Sequence, residues 1–222
     1  MKSMITKKIV LVLATALVFT HCTEKVSEIE STKITKADEV LVDSMATEET
    51  VALLTNLRSF AVDKVLFGHQ ETTAYGVGWK NDGAENRSDV KKVCGDFPAV
   101  YGGDIGKISQ VTNNDGVPFD QMKALIKDAY ERGGINTISF HQANPVTETH
   151  SWDTTSAVPY ILPGGHSHTK YLERLDLVAE FMHDLKADDG SLIPVIFRPY
   201  HEHNGDWFWW GKGPASEKDF IA

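Results

Sequence analysis

The stretch FDQMKALIKDAYERGGINTISFHQANP, residues 119–145, contains one complete helix-to-strand unit. Five apolar residues in its first half recur at the spacing of one helix face, which predicts an amphipathic helix. They are Met122, Leu125, Ile126, Ala129 and Tyr130. Gly133 and Gly134 follow as a helix stop. The β-branched segment after them predicts a buried strand that becomes polar where it ends.

The same pattern recurs along the chain. Four short apolar runs each turn polar at their carboxyl end: LFGHQ (66–70), AVYGGD (99–104), ISFHQANP (138–145) and VIFRPYHEHNG (195–205). Amphipathic segments at 47–60 and 169–190 predict further helices. Apolar strands that alternate with such helices predict parallel βα units.

Two architectures accommodate four βα units. In a (β/α)8 barrel, the carboxyl ends of the strands carry the chemistry. An open doubly wound sheet also fits the count. The sequence has no G-x-G-x-x-G after its first strand and no G-x-x-x-x-G-K-[ST] anywhere, which argues against a nucleotide site. We therefore predict an α/β fold of the (β/α)8 TIM-barrel type, of which this chain carries about the first four units.

Composition sets limits on the class of protein. The chain has 222 residues, is 41% hydrophobic and has a formal net charge of −9. The hydrophobic share is ordinary for a soluble globular protein. The acidic balance argues against a nucleic-acid partner, since such proteins normally carry a basic face.

The amino terminus has the features of an export signal. Basic residues precede an apolar run from Ile9 to Phe19, which has the length of a signal-peptide core and is short for a membrane span. The stretch before Cys22 resembles a bacterial lipoprotein signal, although His21 stands where a small residue is usual. We predict a signal peptide over 1–21, lipidation of Cys22, a polar tether over 22–45 and the amino-terminal half of the barrel over 46–222. The expected location is the cell envelope, anchored to the bacterial outer membrane by that lipid alone, with plain secretion as the alternative.

The only other cysteine is Cys94. With Cys22 lipidated, no disulfide within the chain is available, and the fold must depend on its core. We predict that Cys94 is a buried, small apolar residue.

The densest cluster of ionisable and aromatic residues is FRPYHEHNGDWFWWG, residues 197–211. Strand alternation would place Arg198, Tyr200 and Glu202 on one face. A carboxyl group among aromatic walls is partly desolvated, which raises its pKa and suits a general acid. Indole faces also stack on sugar rings, so this segment indicates a carbohydrate substrate. The simpler alternative is that Glu202 forms an ion pair with Arg198.

Residues 197–211 resemble the acid/base signature of glycoside hydrolase family 26, the family of many bacterial β-mannanases. The polar ends of the first three predicted strands resemble the corresponding strand ends of that family, in the same order. The resemblance runs from about residue 64 to the end. It implies a (β/α)8 barrel that cleaves β-1,4-mannosidic linkages with retention, uses two glutamates, and requires no cofactor and no metal.

The resemblance also implies roles for individual residues. Glu202 matches the acid/base glutamate. His201, Trp207 and His141 match residues that contact the sugar at the cleavage point, and Trp152 is the candidate for a further loop tryptophan. We also expect two supporting residues, Asn204 and Arg198. Arg198 would orient either the acid or the second glutamate, with a purely structural role as the alternative.

Retention requires a second carboxylate about 5–5.5 Å from the first. The resemblance places this nucleophile at the end of the seventh strand, whereas residues 46–222 supply four βα units at most. No glutamate within the chain fits the role. Glu71 and Glu148 lie in predicted loops, and Glu173 and Glu180 lie on a predicted helix. We expect the chain to be the amino-terminal half of a longer enzyme, with two sheet edges left open.

Two other functions remain open at this point. Two His-x-His pairs, His201 with His203 and His166 with His168, would suit a metal-dependent barrel hydrolase. A cell-surface lipoprotein that binds glycans without catalysis is the other alternative. Its stacking platform would consist of Trp152, Trp207, Trp209 and Trp210.

The expected continuation of the chain is testable by mass. We expect the native protein to exceed 24.6 kDa and to yield tryptic peptides beyond Ala222. Intact-mass measurement with peptide mapping of the carboxyl terminus checks this. A native product that ends at Ala222 would contradict the expectation and would favour the binding function.

Overall fold

The structure is a computed structural model that describes residues 41–80 and 87–222. The predicted signal peptide, the lipidation at Cys22 and most of the predicted tether lie outside the described residues. They stay predictions. No helix of the described part is long and apolar enough to cross a membrane.

The described chain alternates between strands and helices. The strands are β1 (Gly68–Gln70), β2 (Tyr75–Gly76), β3 (Trp79–Lys80), β4 (Val100–Asp104), β5 (Ile135–Ser139) and β6 (Val195–Arg198). The helices are α1 (Glu48–Phe60), α2 (Asp89–Cys94), α3 (Phe119–Glu131), α4 (Val158–Ile161), α5 (His168–His183) and α6 (Glu217–Ile221).

Four strands form one parallel sheet in the order β1-β4-β5-β6. Gly68 pairs with Val100, Val100 with Ile135, and Asn136 with Val195. The predicted parallel βα organisation is therefore confirmed. Because the strands are parallel, their polar carboxyl ends meet at one edge of the sheet. The short strands β2 and β3 form a separate antiparallel hairpin just after β1.

Helices α1 and α3 begin and end where the sequence predicts, whereas α5 ends at His183, seven residues before the predicted stop at Gly190. Thr47 caps α1, since its Oγ1 accepts a hydrogen bond from the backbone N–H of Thr50 at 3.3 Å. Helix α3 buries Met122, Ile126 and Ala129 from the predicted apolar stripe. The chain leaves α3 through Gly133, whose φ of +80° belongs to the left-handed region that favours glycine.

Two apolar clusters hold these elements together. The main core lies where α3 and α5 cover the sheet and includes Ile105, Met122, Ile138, Phe140 and Phe181. A second cluster lies around α4 and the start of α5. Its members are Ala157, Val158, Ile161, Tyr171, Phe208, Trp209 and Trp210.

Three other details differ from the sequence-based expectations. Strand β1 covers only the end of the predicted run, and the predicted loop at 145–167 contains the short helix α4. Cys94 is exposed, so the prediction of a buried residue was wrong. It lies in the last turn of the short helix α2, none of whose residues is buried, and its thiol donates to the carbonyl of Val90 at 3.1 Å.

The two outermost strands of the sheet are β1 and β6. Apolar side chains are exposed beside them: Phe67 is 61% exposed and Phe197 is 36% exposed. The predicted open sheet edges are therefore present in the described part of the chain.

The central strand β5 provides a stability test. Ile138 is 1% exposed within the main core, so Ile138→Ala removes buried apolar contacts and leaves a cavity. We expect the free energy of unfolding to fall by about 2–5 kcal/mol in urea denaturation. Val111→Ala is the matched control, since Val111 is 81% exposed. Equal losses for the two variants would contradict the assignment of the core.

Candidate active site

A buried carboxylate lies at the carboxyl end of β4. Asp104 is 3% exposed, and its Oδ2 accepts hydrogen bonds from Ser139 Oγ at 2.8 Å and from the backbone N–H of His141 at 3.1 Å. The same oxygen lies 2.7 Å from His141 Nδ1. The other oxygen, Oδ1, accepts from the backbone N–H of Gly106 at 2.8 Å. Asp104 thereby fixes the backbone and the imidazole ring of the residue that follows β5.

The second nitrogen of His141 faces another histidine. His141 Nε2 lies 3.1 Å from His201 Nε2, and the two rings meet edge to face with centroids 4.5 Å apart. A hydrogen bond between these nitrogens holds one proton, so the two rings cannot both carry a proton there. Asp104, His141 and His201 thus form a continuous row across three neighbouring strand ends.

The electrostatic environment separates the two histidines. Burial lowers the pKa of His141, but the hydrogen bond to Asp104 and the charge of that carboxylate outweigh burial, so the pKa is raised overall. For Asp104, burial raises the pKa. The pKa is lowered overall, because the hydrogen bonds from His141, Ser139 and Gly106 and the charge of His141 outweigh burial. For His201, burial and the charges of His141 and Arg198 lower the pKa.

Glu202 lies in a turn directly after β6. Strand alternation ends at Arg198, because Tyr200 and Glu202 both have positive φ, at 51° and 56°. The expectation that Arg198, Tyr200 and Glu202 share one face was therefore wrong. Tyr200 packs instead against the second cluster, where its hydroxyl forms a hydrogen bond with that of Tyr171.

The carboxylate of Glu202 is exposed, which also differs from the expected desolvation by aromatic walls. One aromatic neighbour does contact it directly: the indole N–H of Trp207 donates to Glu202 Oε2 at 3.0 Å. The remaining tryptophans of the segment point elsewhere. Glu202 is thus oriented by one hydrogen bond at the rim of the strand ends.

The tryptophans of the predicted site divide into two pairs. Trp152 and Trp207 are 56% and 44% exposed, whereas Trp209 and Trp210 are 0% and 1% exposed. The two buried indoles hold backbone next to the site: Trp209 donates to the carbonyl of Gln142 at 3.1 Å, and Trp210 donates to the carbonyl of His201 at 2.9 Å. A stacking platform of all four tryptophans is therefore not formed.

Trp152 extends the row of histidines. Its ring stacks on that of His141 with centroids 5.6 Å apart and planes 19° from parallel. The loop that presents it is held by Asn144, whose side-chain amide donates to the carbonyls of Asp153 and Thr155 at 3.1 and 2.8 Å. The structure thus brings together His141, His201 and Trp152.

The two supporting residues are less engaged. Arg198 and Asn204 are exposed, and no hydrogen bond or ion pair joins either of them to Glu202 within the described residues. The alternative of an ion pair between Glu202 and Arg198 is therefore not what the structure shows. Arg198 acts on the site through its charge, which lowers the pKa of His201. Burial and the charge of His141 lower that pKa by more.

Neither His-x-His pair is arranged for a metal. His203 stacks on Phe220 with ring centroids 5.1 Å apart, away from His201. His168 Nδ1 lies 2.7 Å from the carbonyl oxygen of Ile161. Across the ranges 41–80 and 87–222, no group of three His, Cys, Asp or Glu residues is placed to hold a metal ion.

Two acidic residues at the site had no role in the sequence analysis. Asp104 appeared only as the polar end of a strand, although an aspartate after a Gly-Gly pair at a barrel strand end was the available signal. Glu71 follows β1 and is 5% exposed. Its Oε1 accepts from the backbone N–H of Asp104 at 3.2 Å and from Asn113 Nδ2 at 3.4 Å.

Burial dominates the ionisation of Glu71. Desolvation, aided by the charges of Asp115 and Asp104, raises the pKa of its carboxyl to about 8 against the lowering effect of its hydrogen bonds. Glu71 is therefore protonated at neutral pH, and a protonated carboxyl is a poor nucleophile. Glu148 is engaged differently, in ion pairs with Lys170 at 3.1 Å and Arg174 at 3.2 Å.

The family model for glycosyl hydrolase family 26 matches residues 42–220. The chain belongs to this family. It is 34% identical to a mannan endo-1,4-β-mannosidase of Bifidobacterium adolescentis over 227 aligned positions, which cover 99% of this chain and 22% of that protein. A mannan endo-1,4-β-mannosidase of Bacillus subtilis is 33% identical and covers 61% of this chain and 38% of that protein.

Solved structures agree with this assignment. A family 26 β-mannanase from Bacteroides ovatus superposes with a TM-score of 0.76 at 46% identity, covering 79% of this chain and 52% of that one. A modular endo-β-1,4-mannanase from Cellulomonas fimi has a TM-score of 0.75 at 39% identity, covering 82% and 42%. These neighbours are (β/α)8 barrels, so the predicted fold class is confirmed. The chain spans about half the length of the Bacteroides structure and about a fifth of the Bifidobacterium protein.

The raised pKa of Glu71 predicts a pH-dependent stability. In the unfolded chain the carboxyl has its ordinary pKa near 4.5, whereas in the fold the pKa is about 8. The folded state thus binds an extra proton between these values, and this contribution to stability is present below pH 4.5 and is lost as the pH rises to about 8. Glu71→Gln keeps a neutral acceptor, so we expect its stability relative to the parent protein to improve steadily over that range.

Urea denaturation at pH 5, 6.5 and 8 measures this difference. Glu173→Gln on the exposed face of α5 is the control and should follow the parent protein at every pH. A stability difference between Glu71→Gln and the parent that does not change with pH would show that Glu71 is ionised in the fold.

Proposed function

We propose that the protein containing this chain hydrolyses β-1,4-mannosidic linkages in mannan or galactomannan with retention of configuration. The observation that carries the proposal is the placement of Glu202. It lies beside His201 at the carboxyl end of a parallel strand, with Oε2 held by Trp207. Membership of family 26 and similarity to named mannanases support the choice of reaction and substrate.

Glu202 is the general acid and base of the proposed reaction. Its exposure leaves the carboxyl group accessible to a glycosidic oxygen above the strand ends. In the first step it donates a proton to the departing oxygen while a second carboxylate attacks the anomeric carbon. In the second step it removes a proton from the water that hydrolyses the glycosyl-enzyme.

The second carboxylate is not assigned to any residue described above. Glu71 is buried and protonated at neutral pH, and Glu148 is held in ion pairs with Lys170 and Arg174. The family resemblance places the nucleophile on the seventh strand of a complete barrel. We propose that a segment beyond the four strands of this sheet supplies it.

The sugar would be held by aromatic faces and imidazoles. Trp152 and Trp207 expose large apolar surfaces. Trp152 stacks on His141, whose Nε2 pairs with that of His201, so polar groups lie next to the exposed indole. This arrangement matches the amphipathic character of a pyranose ring, which has apolar faces and a polar rim.

Replacement of the proposed acid gives the decisive experiment. Glu202→Gln removes the transferable proton but keeps the acceptor for Trp207, so we expect the rate of mannan hydrolysis to fall by about 10²–10⁴-fold. Because a leaving group of low pKa needs no protonation, the first step on a nitrophenyl β-mannoside should be far less affected. Reducing-sugar release from mannan and burst release of nitrophenol measure the two effects.

Glu173→Gln is the matched control and should retain full activity. The anomeric configuration of the first product, followed by proton NMR, tests retention and should be β. Full activity of Glu202→Gln, or an α product, would overturn the proposed mechanism. A parent protein that binds mannan but does not hydrolyse it would favour the non-catalytic alternative.

A further inference from the structure

The geometry of Asp104, His141 and His201 indicates which of the two imidazole rings carries the proton of their shared hydrogen bond. We propose that Asp104 is a positioning residue, whose buried carboxylate keeps the proton shared by the two imidazoles on His141 and leaves His201 neutral beside Glu202. The functional part of this inference rests on the proposed hydrolysis, whereas the position of the proton does not.

The first step of the argument is that Asp104 needs a cationic partner. It is a carboxylate that is 3% exposed, and a buried charge without compensation is costly. Its hydrogen-bond donors other than the imidazole are neutral: the hydroxyl of Ser139, the side-chain amide of Asn114 and the backbone N–H groups of Gly106 and His141. Within the described residues, the His141 ring is the group that can pair a positive charge with it, and at 2.7 Å it does so at close range.

The second step concerns the other ring. His201 Nδ1 is buried and has no hydrogen-bond partner among the described residues, so no contact at that nitrogen stabilises a cationic ring. A proton on both nitrogens of His201 would place a positive charge on a ring that forms no ion pair with a carboxylate in the described residues, whereas the His141 ring lies 2.7 Å from Asp104 Oδ2. The single proton between the two Nε2 atoms is accordingly more stable on His141, which donates it to His201.

The surrounding charges act in the same sense. The acidic groups that act on His141 are Asp104, Glu202 and Asp115, and all of them favour its protonation. His201 is acted on by the cations His141 and Arg198, which oppose its protonation, and by Glu202 and Asp104, which favour it less strongly. Glu71, behind Asp104, is neutral through burial and adds no charge at neutral pH.

The consequence for Glu202 follows from charge balance. The Asp104 and His141 charges cancel, and His201 contributes none, so the row presents almost no net charge to the neighbouring carboxyl group. A cationic His201 would instead add a positive charge next to the carboxyl group that must donate its proton to the leaving oxygen. Asp104 would thus control the charge beside the acid without touching the substrate.

Nitrogen NMR of the protein labelled with ¹⁵N-histidine reads the proton positions directly. Long-range proton–nitrogen correlations distinguish a cationic ring from each neutral tautomer, and the His141→Gln and His201→Gln variants assign the signals. We expect His141 to be cationic at pH 7 and His201 to be neutral with its proton on Nδ1. A cationic His201, or a His141 that is neutral below pH 6, would overturn the proposal without any variant of Asp104.

Two variants separate positioning from support of the fold. Asp104→Asn keeps the size of the side chain but removes its charge, so the titration midpoint of His141 should fall by about 1–3 pH units. Ser139→Ala removes another hydrogen bond to the same Oδ2 and should leave the order of the two histidines unchanged. Equal titration curves for Asp104→Asn and the parent protein would exclude the proposed role, and near-ultraviolet circular dichroism checks that both variants fold.

Kinetics test the functional part. In the gene product that contains these residues, Asp104→Asn should lower kcat on mannan by about 100-fold, and Ser139→Ala by much less. Unchanged kcat in a folded Asp104→Asn variant with an altered His141 titration would show that the proton position does not serve catalysis. If the parent protein has no activity on mannan, the proposed function is wrong. The NMR titration would still show whether His141 or His201 carries the shared proton.

Discussion

The parallel pairing of β4 with β5 is the constraint on which the candidate site depends. In this register Asp104 lies opposite Ser139, and the residue two positions later along the chain, His141, reaches the same carboxylate oxygen. A shift of one residue would turn Asp104 to the other face of the sheet and leave its charge without these donors. The hydrogen-bond ladder of the sheet and the electrostatics of the site are therefore set by the same alignment.

The aromatic residues of the carboxyl-terminal segment serve two different purposes. Trp209 and Trp210 are structural, since both fill the second apolar cluster. The indole N–H of Trp209 ties the segment after β6 to the chain after β5 at Gln142, and that of Trp210 bonds to His201 within the segment after β6. Trp207 and Trp152 remain exposed beside Glu202 and His141. The buried pair thus fixes the backbone from which the exposed residues and the catalytic candidate project.

Much of this arrangement could be predicted from the sequence. The apolar stripe of α3, the cap at Thr47 and the apolar-to-polar strands depend on local spacing, and the parallel βα organisation follows from the alternation of these segments along the chain. The partner of His141 could not be predicted, because Asp104 lies 37 residues earlier and the bond depends on strand register. The direction of each tryptophan was also out of reach, since two positive φ angles after β6 interrupt the alternation on which the sequence argument relied.

The fold class, the family and the position of the acid candidate follow from the amino-acid sequence alone, because each depends on periodicity or on a contiguous motif. Which carboxyl groups are charged depends on the three-dimensional arrangement of the strands. Asp104 and Glu71 are both buried acids at neighbouring strand ends, yet hydrogen bonds and an imidazole keep the pKa of the first low, whereas desolvation raises that of the second to about 8. The physical reason is that the pKa of a buried group depends on its neighbours in space, and those neighbours come from different strands of the sheet.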